Sequence, residues 1–349
     1  MIYFGTDYMA GAHPKVMKAL DTTNLMHTPG YGNDVFTEEA KRLILKECGL
    51  SEGEVFFLIG GTQTNAAVID RLLGRNDGVL AADTAHISVH EAGAIELYGH
   101  KILELKNRSG KLDATEIDEY FERFYADDTH LHMVRPAMVY ISFPTELGTV
   151  YTHNELVSLR DVCSKWDVPL YIDGARMSYG LAAEGVDITL KDIAALSDVF
   201  YIGGTKCGAL FGEAVVTHRH DLMRRFFSLM KGHGAVLAKG RLLGVQFKTL
   251  FEDGLYYRIG RHAVDLAQNL KEEFKKRGYK VLIDSPTNQQ FFILPNAVVD
   301  ILKDKVCFEL WGPRGEYESE VRFVTDWTNS GNDIHQLFHI LDSQVPLNN

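Results

Sequence analysis

The sequence predicts an α/β protein whose large domain holds a mainly parallel sheet of seven strands, followed by a small α+β carboxyl-terminal domain. Three observations lead to this fold class. Short apolar segments alternate with helical patterns from about residue 53 to about residue 217, which is typical of right-handed β-α-β crossovers. A helical stretch follows at about 219–277, and further strand patterns lie beyond it. We therefore expect a large domain at 1–253, including the amino-terminal segment, and a small domain at 254–349.

The strands of the large domain are short runs of apolar, β-branched and aromatic residues, as buried parallel strands usually are. They are predicted at residues 54–59, 78–82, 101–106, 137–143, 168–173, 198–203 and 213–217. Helical periodicity and length predict the helices between them at 62–74, 113–126 and 153–166. This order of elements covers both faces of the sheet.

The carboxyl-terminal part of the chain begins with a change of pattern. Helices are predicted at 220–230, 237–251 and 260–278, and strands at 280–283, 289–295, 306–311 and 320–327. A helix that bridges two domains fits this order. No Pro- or Gly-rich linker separates the two parts, so we expect the domains to pack tightly.

Composition excludes several classes of function. The 349 residues are 46% hydrophobic and 24% charged, which is ordinary for a globular protein. The formal net charge of -11 argues against binding to nucleic acid or to an anionic membrane surface. No apolar run approaches the roughly 20 residues that span a bilayer, and the first residues do not resemble a signal peptide. We expect neither nucleic acid nor membrane as a partner.

The cysteines and histidines predict no metal site and no disulfide framework. The four cysteines, Cys48, Cys163, Cys207 and Cys307, lie far apart without a C-x-x-C motif, so a reducing cytoplasm is the simplest location. The pair His130 and His132 lacks a third ligand nearby. We therefore expect no bound metal.

Three short stretches carry the chemistry, and the first is a glycine turn. Gly60 and Gly61 separate a predicted strand from a helix that begins near Thr62. The unpaired N–H groups of a helix amino terminus can bind a phosphate there. Glycine turns between strand and helix are also common for packing reasons, so this signal leaves both interpretations open.

The second stretch, "YIDGAR", places Asp173 and Arg176 just after a buried strand. In open α/β sheets the carboxyl ends of the strands are the edge where ligands bind. The alternative is a structural salt bridge or a helix cap, since Asp caps helices well. In the third stretch, "GGTKCGALFG", Lys206 lies among glycines after another strand. A lysine that is partly desolvated becomes a nucleophilic amine.

Together the three stretches match the needs of pyridoxal 5′-phosphate. This cofactor requires a phosphate cradle, a lysine for its aldehyde, and a carboxylate that keeps the ring nitrogen protonated. The chain supplies Gly61 with Thr62, then Asp173, then Lys206. Their spacing resembles that of aminotransferase-like, fold type I pyridoxal-phosphate enzymes, in which Arg176 would face a substrate carboxylate.

Further motifs narrow the resemblance to the threonine aldolase, or β-eliminating lyase, family. They are "GTDYMAGAHPKVMKAL", "GGTQTN", "TAHISVHEAGA", "LGTVY", "YIDGAR" and "RFVTDW", and they extend over nearly the whole chain. In this family a histidine in an "AHI....EAG" motif lies flat over the cofactor ring. The resemblance implies that His86, followed by Glu91, is that histidine.

The resemblance also implies a role for each matching residue. Lys206 matches the Schiff-base lysine and Asp173 matches the partner of the ring nitrogen. The phosphate contacts would come from Gly61, Thr62 and Thr205. The substrate carboxylate would be bound by Arg176 and Arg322, with Thr6 nearby.

Two departures from the family pattern concern the site itself. The usual "S-K-G" around the lysine is "TKCG" here, with Cys207 in place of glycine; we interpret Cys207 as a packing residue. Where "E-N-T-H-N" is common, this chain has "SFPTEL", which puts Glu146 at the place of a histidine tied to the substrate β-hydroxyl.

The implied activity is cleavage of L-threonine or L-allo-threonine to glycine and an aldehyde, with His86, or a water that it holds, as the base. Another fold type I reaction, β-elimination or transamination, is the alternative among enzymes. A non-catalytic ligand-binding regulator on the same scaffold is the alternative from another class. The family also implies a homodimer or homotetramer with shared active sites, to which the loop at 27–34 would contribute.

Overall fold

The helices and strands follow the predicted order. The structure, a computed structural model, describes residues 1–344. The strands are β1 (Ile2–Tyr3), β2 (Glu54–Leu58), β3 (Asp77–Ala82), β4 (Lys101–Leu105), β5 (Arg135–Ser142), β6 (Leu170–Asp173), β7 (Val199–Gly203), β8 (Glu213–Thr217), β9 (Lys280–Ile283), β10 (Gln289–Pro295), β11 (Val306–Cys307), β12 (Glu309–Leu310) and β13 (Glu318–Val324). The helices are α1 (Pro14–Thr23), α2 (Val35–Glu47), α3 (Gly61–Leu72), α4 (His86–Val89), α5 (Ala94–Leu97), α6 (Ala114–Ala126), α7 (His153–Lys165), α8 (Met177–Leu181), α9 (Leu190–Leu196), α10 (Phe226–Gly232), α11 (Arg241–Glu252), α12 (Leu255–Lys276), α13 (Asn296–Leu302) and α14 (Gly331–Gln344).

The seven strands predicted for the large domain form a single sheet in the order β2-β8-β7-β6-β5-β3-β4. All neighbouring pairs are parallel except those of β8, which is antiparallel to both β2 and β7. The link from Gly203 to Glu213 is too short for the helical crossover that a parallel neighbour requires. Glu213 therefore begins β8 at the edge where the parallel strands end.

The centre of this sheet is covered on both faces. Every residue of β6 and β7 is buried, which explains why these strands are continuous apolar runs rather than alternating ones. The apolar stripes of α3, α6 and α7 pack in the same core. Because the strands themselves are buried and apolar, the polar side chains that can form a site lie at the strand ends.

The second domain is built on the antiparallel sheet β12-β13-β10-β9, with α13 and α14 packed in its core. The amino terminus joins this domain: β1 pairs in parallel with β11, with Ile2 opposite Val306. The side chains of Ile2 and Phe4 pack in the second core, and α12 contributes to both cores. The boundary between 253 and 254 stays a prediction, because no single position divides the two cores.

Two predicted elements were wrong in detail. The helix expected at 220–230 begins only at Phe226, because Arg225 takes a left-handed backbone conformation with φ of 63° that regular helix does not allow. The strand expected at 306–311 is two short strands, since Val306 pairs with the amino-terminal strand whereas Glu309 pairs with β13. None of the helices at 1–344 has the length and apolar character needed to cross a membrane.

Candidate active site

A cavity of about 810 Å³ opens at the carboxyl ends of the parallel strands and extends to the second domain. It brings together eight of the nine residues that the sequence predicts for the site: Gly61, Thr62, His86, Asp173, Arg176, Thr205, Lys206 and Arg322. The ninth, Thr6, is half-buried and does not line the cavity, whereas Tyr8 does. Residues far apart in the chain therefore meet at one place, as the interpretation of the three stretches requires.

Asp173 ends β6 and is surrounded by hydrogen-bond donors. Its Oδ1 accepts from the Ala175 amide at 2.9 Å, and its Oδ2 accepts from Asn65 Nδ2 at 2.9 Å and from the Tyr140 hydroxyl at 2.7 Å. Burial alone would raise the pKa of this carboxyl, but the charge of His86 and the hydroxyl donors hold the pKa below its usual value. Asp173 is thus an ionised carboxylate inside the protein.

Lys206 lies in the turn between β7 and β8. The Tyr179 hydroxyl donates to the Lys206 carbonyl, and Lys206 Nζ lies 5.8 Å from the centre of the Tyr8 ring. Burial, followed by the charge of Arg176, lowers the pKa of the Lys206 amine. A lowered pKa increases the fraction of the nucleophilic neutral amine.

Cys207 is the residue after Lys206 in this turn. Its side chain is fully buried, and burial raises the pKa of the thiol to about 12. The thiol is therefore protonated at neutral pH and is not a nucleophile.

His86 is the first residue of α4 and is held by a carboxylate. His86 Nδ1 lies 2.8 Å from Glu91 Oε1, which also accepts from Asn65 Nδ2 at 2.7 Å. Asn65 therefore connects Asp173 with Glu91, the partner of His86. Sequence reasoning did not single out Asn65; the available signal was its place four residues after Gly61, on the same face of α3.

The two arginines of the site already have partners. Arg176 forms a bidentate pair with the buried Asp7, with Nε to Oδ2 at 2.7 Å and Nη2 to Oδ1 at 3.0 Å. Arg322 donates from Nη1 to Gln289 Oε1 at 2.9 Å and from Nη2 to Glu309. Burial and then the charge of Arg176 lower the pKa of Arg322. Two neighbouring guanidinium groups of this kind favour an anion between them.

The expected phosphate cradle is the amino terminus of α3. Gly60 precedes the helix and provides no side-chain cap, so the first N–H groups are open to an anion. A Cβ atom added to Gly61 would lie 3.2 Å from the Tyr201 hydroxyl, which explains the small residue there. The Thr205 hydroxyl donates to Glu213 Oε1 at 2.7 Å, so its only hydrogen is already engaged.

Glu213 is a buried acid that the sequence analysis missed. Its Oε1 accepts from Thr205 and its Oε2 accepts from the Gly204 amide at 3.1 Å. Burial raises the pKa of Glu213 to about 8, although the hydrogen bond from Thr205 and the charge of Lys206 act in the opposite direction. Its signal in the sequence was an acidic residue at the first position of an otherwise apolar strand.

We expect Glu213 to make the stability of the protein depend on pH. Its pKa is about 8 in the folded protein and about 4.3 when unfolded, so between these values the folded state holds a proton that the unfolded state has lost. The free energy of unfolding then falls as the pH rises through this window, by up to ~1.4 kcal/mol per pH unit.

Glu213→Gln should remove this contribution. Urea unfolding of both proteins between about pH 5 and about pH 8 measures the slope, and the difference between the two slopes cancels the other titrating groups. Equal slopes would show that Glu213 does not hold the proton.

Among solved structures, aspartate aminotransferase of Thermus thermophilus superposes with a TM-score of 0.71 at 14% identity, covering 98% of this chain and 91% of that one. This likeness shows the fold alone. Together with the sheet order it establishes the aminotransferase-like fold, fold type I, as the sequence predicted.

The family follows from closer comparisons. The family model described as beta-eliminating lyase matches residues 4–296, so the chain belongs to the beta-eliminating lyase family and is a lyase. The resemblance drawn from the motifs is confirmed.

Two relatives show how similar this chain is to known proteins. The structure of a threonine aldolase from Leishmania major has a TM-score of 0.95 at 35% identity, covering 99% of this chain and all of that one. A low specificity L-threonine aldolase from Pseudomonas sp. (strain NCIMB 10558) is 29% identical over 309 residues, which is 86% of this chain and 87% of the relative.

Proposed function

We propose that this protein is a pyridoxal 5′-phosphate-dependent aldolase that cleaves L-threonine and L-allo-threonine to glycine and an aldehyde. The observation that carries the proposal is one cavity in which Lys206, Asp173 and the two arginines Arg176 and Arg322 meet. The names of the relatives, which are threonine aldolases, support the same reaction.

The residues of the cavity fit the cofactor. Lys206 offers an amine with a lowered pKa for the aldehyde, and Asp173 offers an ionised carboxylate for the ring nitrogen. The uncapped amino terminus of α3 at Gly61 and Thr62 suits the phosphate. Thr205 contributes less than expected to this contact, because its hydroxyl hydrogen is bound to Glu213.

The residues of the chain bind the substrate, orient its bonds and hold protons. When bound, the cofactor withdraws the electron pair that cleavage leaves on Cα. The ionised Asp173 would keep a proton on the ring nitrogen, which makes this withdrawal effective. His86, fixed by Glu91, would stack on the cofactor ring, as the family resemblance implies. The arginines hold the substrate carboxylate so that the Cα–Cβ bond is the one aligned for cleavage.

Arg322 is the arginine better placed for the carboxylate. Arg176 has one edge filled by the buried Asp7, whereas the partner of Arg322 is Glu309, which is more than one third exposed. A substrate carboxylate can therefore replace Glu309 at Arg322 at lower cost than it can replace Asp7 at Arg176.

Replacing Arg322 by glutamine should raise KM strongly and also lower kcat, because a loosely held carboxylate lets the Cα–Cβ bond leave its alignment. Arg322→Lys should recover little, since one ammonium cannot make a two-point contact. Cofactor affinity should change little. Steady-state kinetics and cofactor titration measure both effects.

The matched control is Arg314→Gln, which removes an exposed arginine paired with Asp300 in the same domain. That pair contributes at most about 1 kcal/mol, so kinetic constants should stay near those of the wild type. Unchanged KM and kcat in Arg322→Gln would remove Arg322 from the site.

A product assay tests the proposed reaction directly. Purified protein with cofactor is incubated with L-threonine, L-allo-threonine and L-serine, and glycine and aldehyde are measured. Glycine and acetaldehyde in equal amounts from threonine support the aldolase. A 2-oxo acid in place of glycine would favour β-elimination or transamination, and turnover of no amino acid would favour a binding protein.

The assembly we propose is a homodimer or homotetramer with shared active sites. The loop at 27–34 lies between α1 and α2, and the exposed apolar side chains of Leu25, Met26, Tyr31 and Val35 lie in or beside it. Such a patch is typical of an interface. Mixing an inactive Lys206→Ala protein with a weakly active Tyr31→Ala protein should restore activity if one subunit completes the site of another.

We also propose a cytoplasmic location. The support is the state of the cysteines: Cys48, Cys163 and Cys207 are buried free thiols, and Cys307 is a partly buried one. Proteins that function in oxidising compartments more often have their cysteines paired. Fractionation of the source cells with an antibody would test this location.

A further inference from the structure

Glu146 follows β5 and presents its carboxylate to the cavity. Glu146 Oε1 accepts from the Ser142 hydroxyl at 2.6 Å and from the His86 amide at 3.0 Å. Both hydrogen bonds that the structure gives this carboxylate, within residues 1–344, fall on the same oxygen. The carboxylate is thus held in place by Oε1 while Oε2 is left for a ligand.

The other carboxylates that line the cavity differ in this respect. Both oxygens of Asp173 and both oxygens of Glu213 accept hydrogen bonds from the protein. Glu309 is paired with Arg322. Glu146 therefore combines two properties that a base requires, a fixed position and a free oxygen.

The surroundings of Glu146 favour its taking a proton. The titratable groups that face it are His86 from α4, Asp173 from β6, Tyr140 from β5 and Tyr151 after the following loop. Burial raises the pKa of the Glu146 carboxyl, the hydrogen bond from Ser142 offsets part of this, and the charge of Asp173 raises the pKa further. A carboxylate of this kind accepts a proton at a pH closer to neutrality than an exposed one.

We propose that Glu146 is the base that removes the β-hydroxyl proton of the substrate. This role rests on the proposed function. The O–H bond breaks and its proton passes to Glu146 Oε2. The O–H electron pair becomes the second bond of the aldehyde carbonyl, and the Cα–Cβ electron pair stays on Cα. Cα later takes up one proton to give glycine, and Glu146 returns its proton to the solvent.

The contacts of His86 agree with Glu146 being the base. One ring nitrogen of His86 is bound to Glu91, and the backbone N–H of His86 donates to Glu146. The residue expected to stack on the cofactor ring would thus also orient the base. We expected His86 itself, or a water that it holds, to be the base; the free oxygen of Glu146 points to the carboxylate instead.

The test compares two reactions of the same active site. Cleavage of threonine requires removal of a hydroxyl proton, whereas exchange of the α-hydrogen of glycine in D2O does not. Glu146→Gln should lower kcat for cleavage by about 10²- to 10⁴-fold, the usual contribution of a general base. Glycine exchange, followed by NMR, should stay within a few-fold of the wild type. Cofactor affinity, measured by fluorescence titration, should also be retained.

The pH profile gives a second readout. In the wild type, kcat/KM for cleavage should fall on the acidic side as Glu146 becomes protonated. Glu146→Gln should lack this limb. As a control, Glu155→Gln removes a partly exposed glutamate of α7, paired with Lys111 away from the cavity, and should leave the profile unchanged.

The possible failures can be told apart. Cleavage near the wild-type rate in Glu146→Gln, or equal loss of cleavage and glycine exchange, would overturn the role of Glu146 while leaving the aldolase in place. Loss of the acidic limb in His86→Phe but not in Glu146→Gln would assign the base to His86. A wild-type protein that cleaves no β-hydroxy amino acid would overturn the proposed function and this step with it.

Discussion

Replacing Lys206 by alanine lowers the rate of threonine cleavage by at least about three orders of magnitude, which is the expected size for loss of a covalent catalytic group. The cofactor should still bind, because the amino terminus of α3 and Asp173 remain. Borohydride reduction should fix the cofactor permanently to the wild type but not to the variant, which mass spectrometry of the intact chain detects.

The control for this variant is Lys303→Ala, since Lys303 is exposed and paired only with Asp300 in the described structure. It should cleave threonine at the wild-type rate. Lys206→Ala truncates a buried side chain, so its unfolding curve must be compared with that of the wild type. A folded Lys206→Ala protein with normal activity would show that another lysine forms the covalent bond.

The second large effect is expected for Asp173→Asn. A neutral amide cannot stabilise a positive charge on the ring nitrogen, so kcat should fall by about 10²- to 10⁴-fold while the covalent bond to Lys206 still forms. The structure adds a cost in stability. Asn65 and Tyr140 both donate to Asp173 Oδ2, and an amide NH₂ there would face two donors, which costs about 1–3 kcal/mol. Steady-state kinetics and urea unfolding measure the two effects separately.

Asp198→Asn is the matched control for Asp173→Asn. Asp198 is as buried as Asp173, but it precedes β7 at the opposite edge of the sheet and pairs with Arg160 and Arg219. Its substitution should lower stability and leave the kinetic constants of the folded protein unchanged. If Asp173→Asn behaves in the same way, Asp173 is a structural residue.

The sequence was sufficient for the elements that depend on local pattern. Continuous apolar runs such as those of β6 and β7 can only be covered on both faces, and this requirement fixes a layered α/β fold. The same reasoning places Asp173 and Lys206 at one edge, because both follow strands of the same sheet. Their proximity could therefore be predicted without knowledge of side-chain packing.

Contacts between distant parts of the chain could not be predicted in this way. The pairing of Arg176 with Asp7 joins positions 169 residues apart. Nothing in the local sequence around either residue predicts the other as its partner. Glu213 reaches the site only because β8 runs antiparallel, and its direction depends on the length of a turn. In both cases tertiary structure, rather than a local preference, decides which polar groups are already satisfied.

The short strand β1 has a consequence for the order in which the protein can be completed during synthesis. Ile2 leaves the ribosome long before its partner Val306, because most of the described chain lies between them. Asp7 follows β1 closely and fixes Arg176, so the site stays unfinished on a nascent chain even after the central sheet has formed. Long-range closure of this kind slows folding. Until translation passes residue 306, the emerging polypeptide should therefore be inactive and should expose the apolar side chains of Ile2 and Phe4, which makes it a substrate for chaperones.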